Sequence, residues 1–196
     1  MKNIFLLYIF LLFSVFACKS KDSISEPFVN QPINFIDLPG DPAPGDPEEI
    51  YTEYHTITSS GGSIQFNKQL DGGPFGSFSI SATLEIETGT IPVNEVFTCI
   101  LIITTEKAYI QISPPEKNFA HPFKLNLKYT GIDLQNVNMN TLDFVCSNGT
   151  GETLGVEHNY ITADYNTGTL EVKDALIQYN PILESGCICG FVSEIE

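Results

Sequence analysis

The sequence predicts an all-β domain, folded as an antiparallel β-sandwich, behind a short apolar N-terminal segment and a Pro-rich spacer. Three observations predict this class. Apolar and polar residues alternate with a period of two in several segments after Tyr51, turn-forming residues separate these segments, and no later segment carries the 3.6-residue period of an amphipathic helix. Hydrophobic residues make up 42% of the 196-residue chain, which is typical of a packed core.

The N-terminal segment has the pattern of an export signal. Lys2 gives it a positive start, and Ile4 to Phe16 is apolar except for Ser14. As a helix these residues would span only about 20 Å, which is short of the roughly 30 Å hydrocarbon core of a bilayer. The segment is therefore interpreted as a signal peptide rather than a membrane-spanning helix.

The signal ends in the tetrapeptide "VFAC", from Val15 to Cys18. This order resembles the lipobox of bacterial lipoproteins, and the resemblance covers residues 1–18. In that family cleavage falls before the cysteine, whose sulfur receives a diacylglycerol and whose new amino terminus is acylated. The resemblance implies a signal peptide at residues 1–17, a fatty-acylated (palmitate-type) Cys18, and a membrane as partner through this anchor. A secreted protein with an incidental cysteine is the alternative.

The residues after Cys18 predict the destination. Lys19 is unlike the Asp that marks inner-membrane retention in lipoproteins, so we expect the outer membrane of a Gram-negative bacterium. An acidic run after the cysteine directs some such proteins to the cell surface, and "CKSKD" contains only Asp22. The periplasmic and outer faces both stay open.

Residues 18–50 are predicted to form a disordered, extended spacer. The segment is rich in Asp and Glu and contains six prolines, at positions 27, 32, 39, 42, 44 and 47. Proline fixes φ and removes amide donors, and repeated charge opposes collapse. The Asp run lacks the spacing and final Glu of an EF-hand loop, so we predict no metal site and no cofactor.

The domain at residues 51–196 is predicted to consist of short strands. Apolar residues line one side of the segments 78–86 and 123–129, and polar residues line the other. Val96–Ile103 is more uniformly apolar and β-branched, which predicts a central strand covered on both faces. The remaining predicted strands are Ala108–Ser113, Thr141–Cys146, Tyr160–Ala163, Thr169–Lys173 and Ala175–Tyr179.

The order of these segments resembles that of ZU-five-like domains, a family of sandwiches of immunoglobulin-like architecture. The likeness rests on "ITSSGGSIQF" (Ile57–Phe66), "LEIETGTIP" (Leu84–Pro92), "ISPPEKNFAHPFKLNLKY" (Ile112–Tyr129) and the segment Phe144–Val172. It implies an interaction module. Some relatives cleave themselves at a His-Phe-Ser segment, whose place here is taken by "QYN" (Gln178–Asn180), so self-cleavage is not implied.

Composition excludes one class of partner. Acidic residues outnumber basic ones 24 to 9, and the net charge is −15 at pH 7. All nine basic residues are lysine. Because phosphate backbones bind cations and Arg is the usual reader of bases, we predict no nucleic-acid partner.

Four cysteines follow Cys18, namely Cys99, Cys146, Cys187 and Cys189. An even number in an exported domain suggests disulfides, and three pairings are possible. Cys99–Cys146 is one sensible cross-sheet pair, whereas a Cys187–Cys189 bridge would close a strained ring. A two-thiol metal or redox site is the alternative, but no nearby histidine completes a ligand set.

No catalytic residue is predicted. The histidines at positions 55, 121 and 158 stand outside any nucleophile, metalloprotease or phosphate-loop motif. Glu85 and Glu87 share one side of a strand and could serve as paired acids, but that side otherwise carries Ser and Thr. We therefore expect a non-enzymatic envelope lipoprotein that binds a protein or a glycan. The alternatives are a structural subunit of an envelope complex and an enzyme acting on surface polymers.

Overall fold

The structure is a computed structural model that describes residues 33–39, 50–93, 95–113, 119–147, 153–178 and 187–193. The predicted signal peptide and Cys18 lie outside these ranges. The described chain is all-β and forms two antiparallel sheets. The predicted β-sandwich class is confirmed.

Eleven strands make up the two sheets. Their bounds are β1 Ile50–Ile57, β2 Gly62–Asp71, β3 Ser77–Ile86, β4 Phe97–Thr104, β5 Tyr109–Ser113, β6 Phe123–Thr130, β7 Asp143–Ser147, β8 Thr153–Gly155, β9 Tyr160–Asp164, β10 Thr169–Ile177 and β11 Cys187–Val192. One sheet has the order β1-β4-β5-β11-β7-β8, and the other has the order β2-β3-β6-β10-β9.

The core lies between the inward faces of the sheets, as the period-two pattern predicts. In β3 every second residue from Phe78 to Ile86 is buried, and β6 repeats the pattern from Phe123 to Tyr129. Tyr129 is fully buried and its hydroxyl donates to the carbonyl of Tyr109 in the opposite sheet. Successive side chains of a strand point to opposite faces, so alternate residues fill the core.

The turn at Gly61 passes the chain from one sheet to the other. It follows β1 in the six-stranded sheet and leads into β2 in the five-stranded sheet. Gly61 has a φ of 70° and its amide donates to the carbonyl of Thr58. An added Cβ would meet the carbonyl oxygen of Ile86, so only glycine fits this turn.

Two predicted strand features are wrong. β4 was expected to be covered on both faces, but it lies next to the edge strand β1. Its inward residues Cys99, Leu101 and Ile103 are fully buried, whereas Ile100 and Ile102 on the outward face are only partly buried. The segments Thr169–Lys173 and Ala175–Tyr179 were expected to be separate strands. They form the single strand β10, whose register with β6 shifts between Val172 and Ala175.

Part of the predicted spacer belongs to the domain. In residues 33–39 the side chains of Ile36 and Leu38 are buried in the core cluster. The Ile36 amide donates to the carbonyl of Phe191, and the Ile36 carbonyl accepts from the amide of Ala108, so the segment lies between the ends of β5 and β11. The spacer prediction for 18–50 is therefore corrected over these seven residues, because two large apolar side chains outweigh the Pro-rich context.

Candidate binding face

The outward face of the five-stranded sheet is polar. Its residues alternate with the core positions of β2, β3, β6, β10 and β9, and most are Ser, Thr, Asn, Gln or Lys. Neighbouring side chains on this face bond to one another, since the Ser81 hydroxyl donates to Asn67 Oδ1 at 2.7 Å. Hydroxyl and amide groups in rows can exchange hydrogen bonds with a polar ligand.

One corner of this face departs from regular sheet geometry. The register of β10 with β6 shifts between Val172 and Ala175, which is a β-bulge. Asp174 lies in it with a φ of 53°, an uncommon conformation for a residue other than glycine. Bulges re-aim side chains and occur next to functional sites, and left-handed residues are held in place by their surroundings.

Hydrogen bonds from β6 and from the residue before β9 hold the bulge. The amide of Asp174 donates to Asn126 Oδ1 of β6 at 3.0 Å, and its carboxylate accepts from Asn159 Nδ2 at 3.5 Å. The backbone amide of Asn159 in turn donates to the carbonyl of Lys173 at 3.0 Å. The backbone at the corner is thus anchored on both sides of β10.

Tyr160 adds an aromatic ring to this corner. It is paired with Lys173 across β9 and β10, and 41% of its surface is exposed. The Lys173 ammonium lies 3.3 Å from Glu171 Oε1 on the same face. We name the set Asn126, Asn159, Tyr160, Glu171, Lys173 and Asp174 the bulge corner. It offers a ring surface, amide groups and both signs of charge within one patch.

The hairpin turn between β9 and β10 is fixed by Asp164. Its carboxylate accepts from the Asn166 amide and from the Thr167 hydroxyl, both at 2.9 Å. These hydrogen bonds, the Asn166 amide first, lower the pKa of Asp164. The ionised carboxylate therefore holds the β9–β10 turn, which lies at the opposite end of this hairpin from the bulge corner.

The structure separates the cysteines that the sequence offered for bridging. Cys146 and Cys189 form a disulfide, while Cys99 and Cys187 are free and buried. The predicted Cys99–Cys146 pair is wrong, because Cys189 is the residue directly opposite Cys146 on the neighbouring strand. Burial raises the pKa of both Cys99 and Cys187 to about 12, which keeps these thiols protonated and poorly nucleophilic.

The histidines and the paired acids come together in no shared site. His55 pairs with Cys99 across β1 and β4, but the protonated thiol shows no activation. His158 Nε2 lies 3.9 Å from Asp143 Oδ1. His121 is exposed and lies two residues before the start of β6. Glu85 lies on the open sheet face opposite Lys124. Among the described residues no group of three or more His, Cys, Asp or Glu could hold a metal ion.

A cleft of about 330 Å³ lies between residues 33–39 and the loop after β6. Its polar lining includes Asp37, Asp133 and Asn136. Both carboxylates already have partners, since Asp37 pairs with Lys107 and Asp133 accepts from the Gln135 amide. The cleft is thus largely a seam where the N-terminal segment docks on the sandwich.

Sequence reasoning missed the bulge corner, although a signal was present. The apolar alternation runs through Leu170 and Val172 and then resumes at Ala175 and Ile177, with one residue too many between them. Such a phase change within a strand pattern indicates a bulge.

Comparisons with known protein families, with curated proteins and with solved structures found no match. No helix in the described ranges is long and apolar enough to cross a membrane.

Proposed function

We propose that this chain is a non-enzymatic binding protein of the bacterial cell envelope that holds a hydroxyl-rich ligand, a glycan, at the bulge corner. The observation that carries the proposal is the exposed ring of Tyr160 beside amide and charged groups on an anchored bulge. Sugars present apolar C–H faces for a ring and hydroxyl groups for amides and carboxylates. A rigid backbone under these groups reduces the entropy lost on binding.

The proposal includes a membrane anchor at Cys18 and residence at the outer membrane. Because residues 33–39 dock on the sandwich, only residues 19–32 stand between that anchor and the domain. At the maximal extension of about 3.6 Å per residue they would reach roughly 50 Å. This supports a domain held close to the lipid surface, on the periplasmic or the outer face.

A protein ligand is the second candidate, and with it the role of a structural subunit in an envelope complex. It is favoured by Ile50 and Tyr54, which lie on β1 with 57% and 67% of their surfaces exposed. The likeness of the sequence to ZU-five-like interaction domains supports the same role. An enzymatic role finds less support, because the free thiols are protonated and Glu85 lies on an open face.

The test is a glycan array and a parallel screen of envelope extracts with the full chain, with and without Ca²⁺. We expect saturable glycan binding that Tyr160→Ala weakens at least tenfold. Tyr54→Ala is the matched control, since it removes an exposed tyrosine from the other sheet. Glycan binding that survives Tyr160→Ala would contradict the assigned site, and an envelope protein captured without any glycan signal would favour the structural role.

The anchor is tested separately. Cys18→Ala should abolish incorporation of labelled fatty acid and release the chain from the membrane fraction, whereas the neighbouring Ser20→Ala should change neither. Unchanged acylation and retention in the Cys18 variant would exclude the lipoprotein assignment.

A further inference from the structure

β1 is a long, regular edge strand. It pairs with β4 on one side, and no other described strand pairs with it on the other. The register with β4 runs without a shift from Ile50 to Ile57, and the strand contains neither Pro nor Lys. Edge strands expose unpaired amides and carbonyls, and natural proteins commonly blunt them with charges, bulges or prolines.

The other sheet edges differ from β1. β2 carries Lys68, whose ammonium lies over the ring of Tyr51 on the inward side, at 4.6 Å from the centroid. An inward-pointing lysine is one of the known devices against edge pairing. β8 has only three residues and β9 has five. Among the described edge strands β1 thus combines length and regular geometry. Its one inward-pointing carboxylate, that of Glu53, opposes pairing unless a complementary side chain faces it.

We propose that β1 pairs antiparallel with β1 of a second copy of this chain, about a two-fold axis through Tyr54. The two six-stranded sheets would then form one continuous sheet. Main-chain hydrogen bonds would hold the pair, as they do wherever an extended segment adds to an exposed sheet edge. The inference is independent of the bulge corner, which lies on the other sheet.

The side chains of β1 select this register. Glu53 lies opposite the buried Leu101 of β4, and His55 lies opposite the buried Cys99, so both side chains point to the inward face. The alternate residues Thr52, Tyr54 and Thr56 therefore point to the outward face. In the paired sheet, inward residues of one β1 must lie opposite inward residues of the other β1. This requires the two-fold axis to pass through a residue rather than between two residues. An axis through Tyr54 sets each Glu53 opposite His55 of the partner subunit, each Thr52 opposite Thr56, and Tyr54 opposite itself.

The neighbouring registers are worse. An axis through Glu53 would place two carboxylates directly opposite each other, which is destabilising. An axis through His55 would oppose two imidazoles and set Glu53 against the buried Ile57. The Tyr54 axis instead makes aromatic, Thr–Thr and Glu–His pairs, each of which stabilises a sheet.

Charge complementarity is local. The whole chain carries −15, which opposes self-association, but this repulsion is screened over about 8 Å at physiological salt. β1 itself carries one acid and one histidine. Within one chain His55 Nε2 lies 3.7 Å from Glu53 Oε2, so the two side chains already lie side by side at the edge. In the pair each would gain a second partner of complementary chemistry.

The test is register-specific disulfide trapping of the full chain in cells, with a copper–phenanthroline catalyst and dissolved oxygen as oxidant. Directly opposed residues of antiparallel strands have Cα atoms about 4.5–5.5 Å apart, within the range of a disulfide. Tyr54→Cys should therefore give a covalent homodimer. Thr52→Cys is the matched control. In the proposed pair residue 52 of one chain lies four strand residues away from residue 52 of the other, so the two cysteines would be more than about 13 Å apart.

A third arm confirms the register. Co-expressed Thr52→Cys and Thr56→Cys chains should cross-link to each other, while either alone and the parent chain should not. Trapping suits an edge contact of small area, because it collects transient pairs. A Tyr54→Cys chain that stays monomeric, that joins a protein of another mass, or that dimerises no better than the Thr52→Cys chain would overturn the proposal. Tyr54 is exposed, so the substitution leaves the core intact.

Discussion

Cys146 and Cys189 are directly opposed residues of β7 and β11, and their disulfide joins neighbouring strands of one sheet across 43 residues of sequence. The bridge lies on the inward face, beside the aromatic pair Phe144 and Phe191, whose ring centroids are 5.2 Å apart. It therefore ties the last strand, β11, to the sandwich interior.

Removing the bridge should lower stability. A closed loop of this length constrains the unfolded chain by about 4 kcal/mol in the chain-entropy model. We expect the Cys146→Ala/Cys189→Ala double variant to lose stability of this order, measured as the shift of the urea midpoint. Cys187→Ala is the control, because it removes a buried thiol from the same strand without a bridge, at about 1 kcal/mol. Equal losses in the two variants would show that the bridge contributes only packing.

The two free thiols should resist alkylation in the native protein. Burial raises the pKa of Cys99 and of Cys187 to about 12, so the thiolate fraction at pH 8 is on the order of 10⁻⁴. We expect iodoacetamide to label neither residue in the folded chain and both after denaturation, read by peptide mass spectrometry. Rapid native labelling of Cys99 would instead place it in an accessible, activated site beside His55.

The same shifts predict a fall in stability at alkaline pH. Between the ordinary thiol pKa near 9 and the native value of about 12, the unfolded chain releases thiol protons that the native chain retains. The unfolded state then binds fewer protons, and stability decreases with rising pH by about 1.4 kcal/mol per unit for each thiol. Unfolding free energies at pH 8 and pH 10.5 should differ less in Cys99→Ala than in the parent chain. Identical slopes would contradict the assignment.

The docked N-terminal segment should contribute to folding. Leu38 is 3% exposed, so Leu38→Ala should cost about 2–5 kcal/mol through lost burial and a residual cavity. Asn34→Ala, at an exposed position of the same segment, should stay within about 0.5 kcal/mol. Thermal unfolding of both variants measures the difference. An unchanged melting temperature for Leu38→Ala would show that residues 33–39 belong to the spacer and do not contribute to the core.

Two glycines of similar conformation should respond differently to alanine. Gly168 and Gly76 have φ values of 58° and 85°, but a Cβ on Gly168 would clash with the backbone of Ile132, whereas none would on Gly76. Gly76→Ala should cost about 1 kcal/mol from backbone strain alone, and Gly168→Ala at least about 3 kcal/mol. Comparable urea midpoints for the two would show that the turn after β9 relaxes freely.

Local pattern predicted much of the sandwich. The alternation in β3 and β6 identifies their buried faces, because a period of two sends alternate side chains to opposite sides whatever the rest of the chain does. The bulge at Asp174 shifts the phase of the same alternation. In sequence, however, one strand interrupted by a single residue looks the same as two separate strands. Pairing with β6 on both sides of the bulge distinguishes them.

The sequence by itself determined the fold class, the inward residues of most strands and the strong excess of acid, since each follows from composition or from spacing of two residues. Only the tertiary structure decided that Cys146 bonds Cys189, that Ile36 and Leu38 complete the core, and that Tyr160 lies beside Lys173. These relationships join residues far apart in the chain. They depend on which strands become neighbours, and strand order minimises exposed apolar area over the whole domain rather than over any one segment.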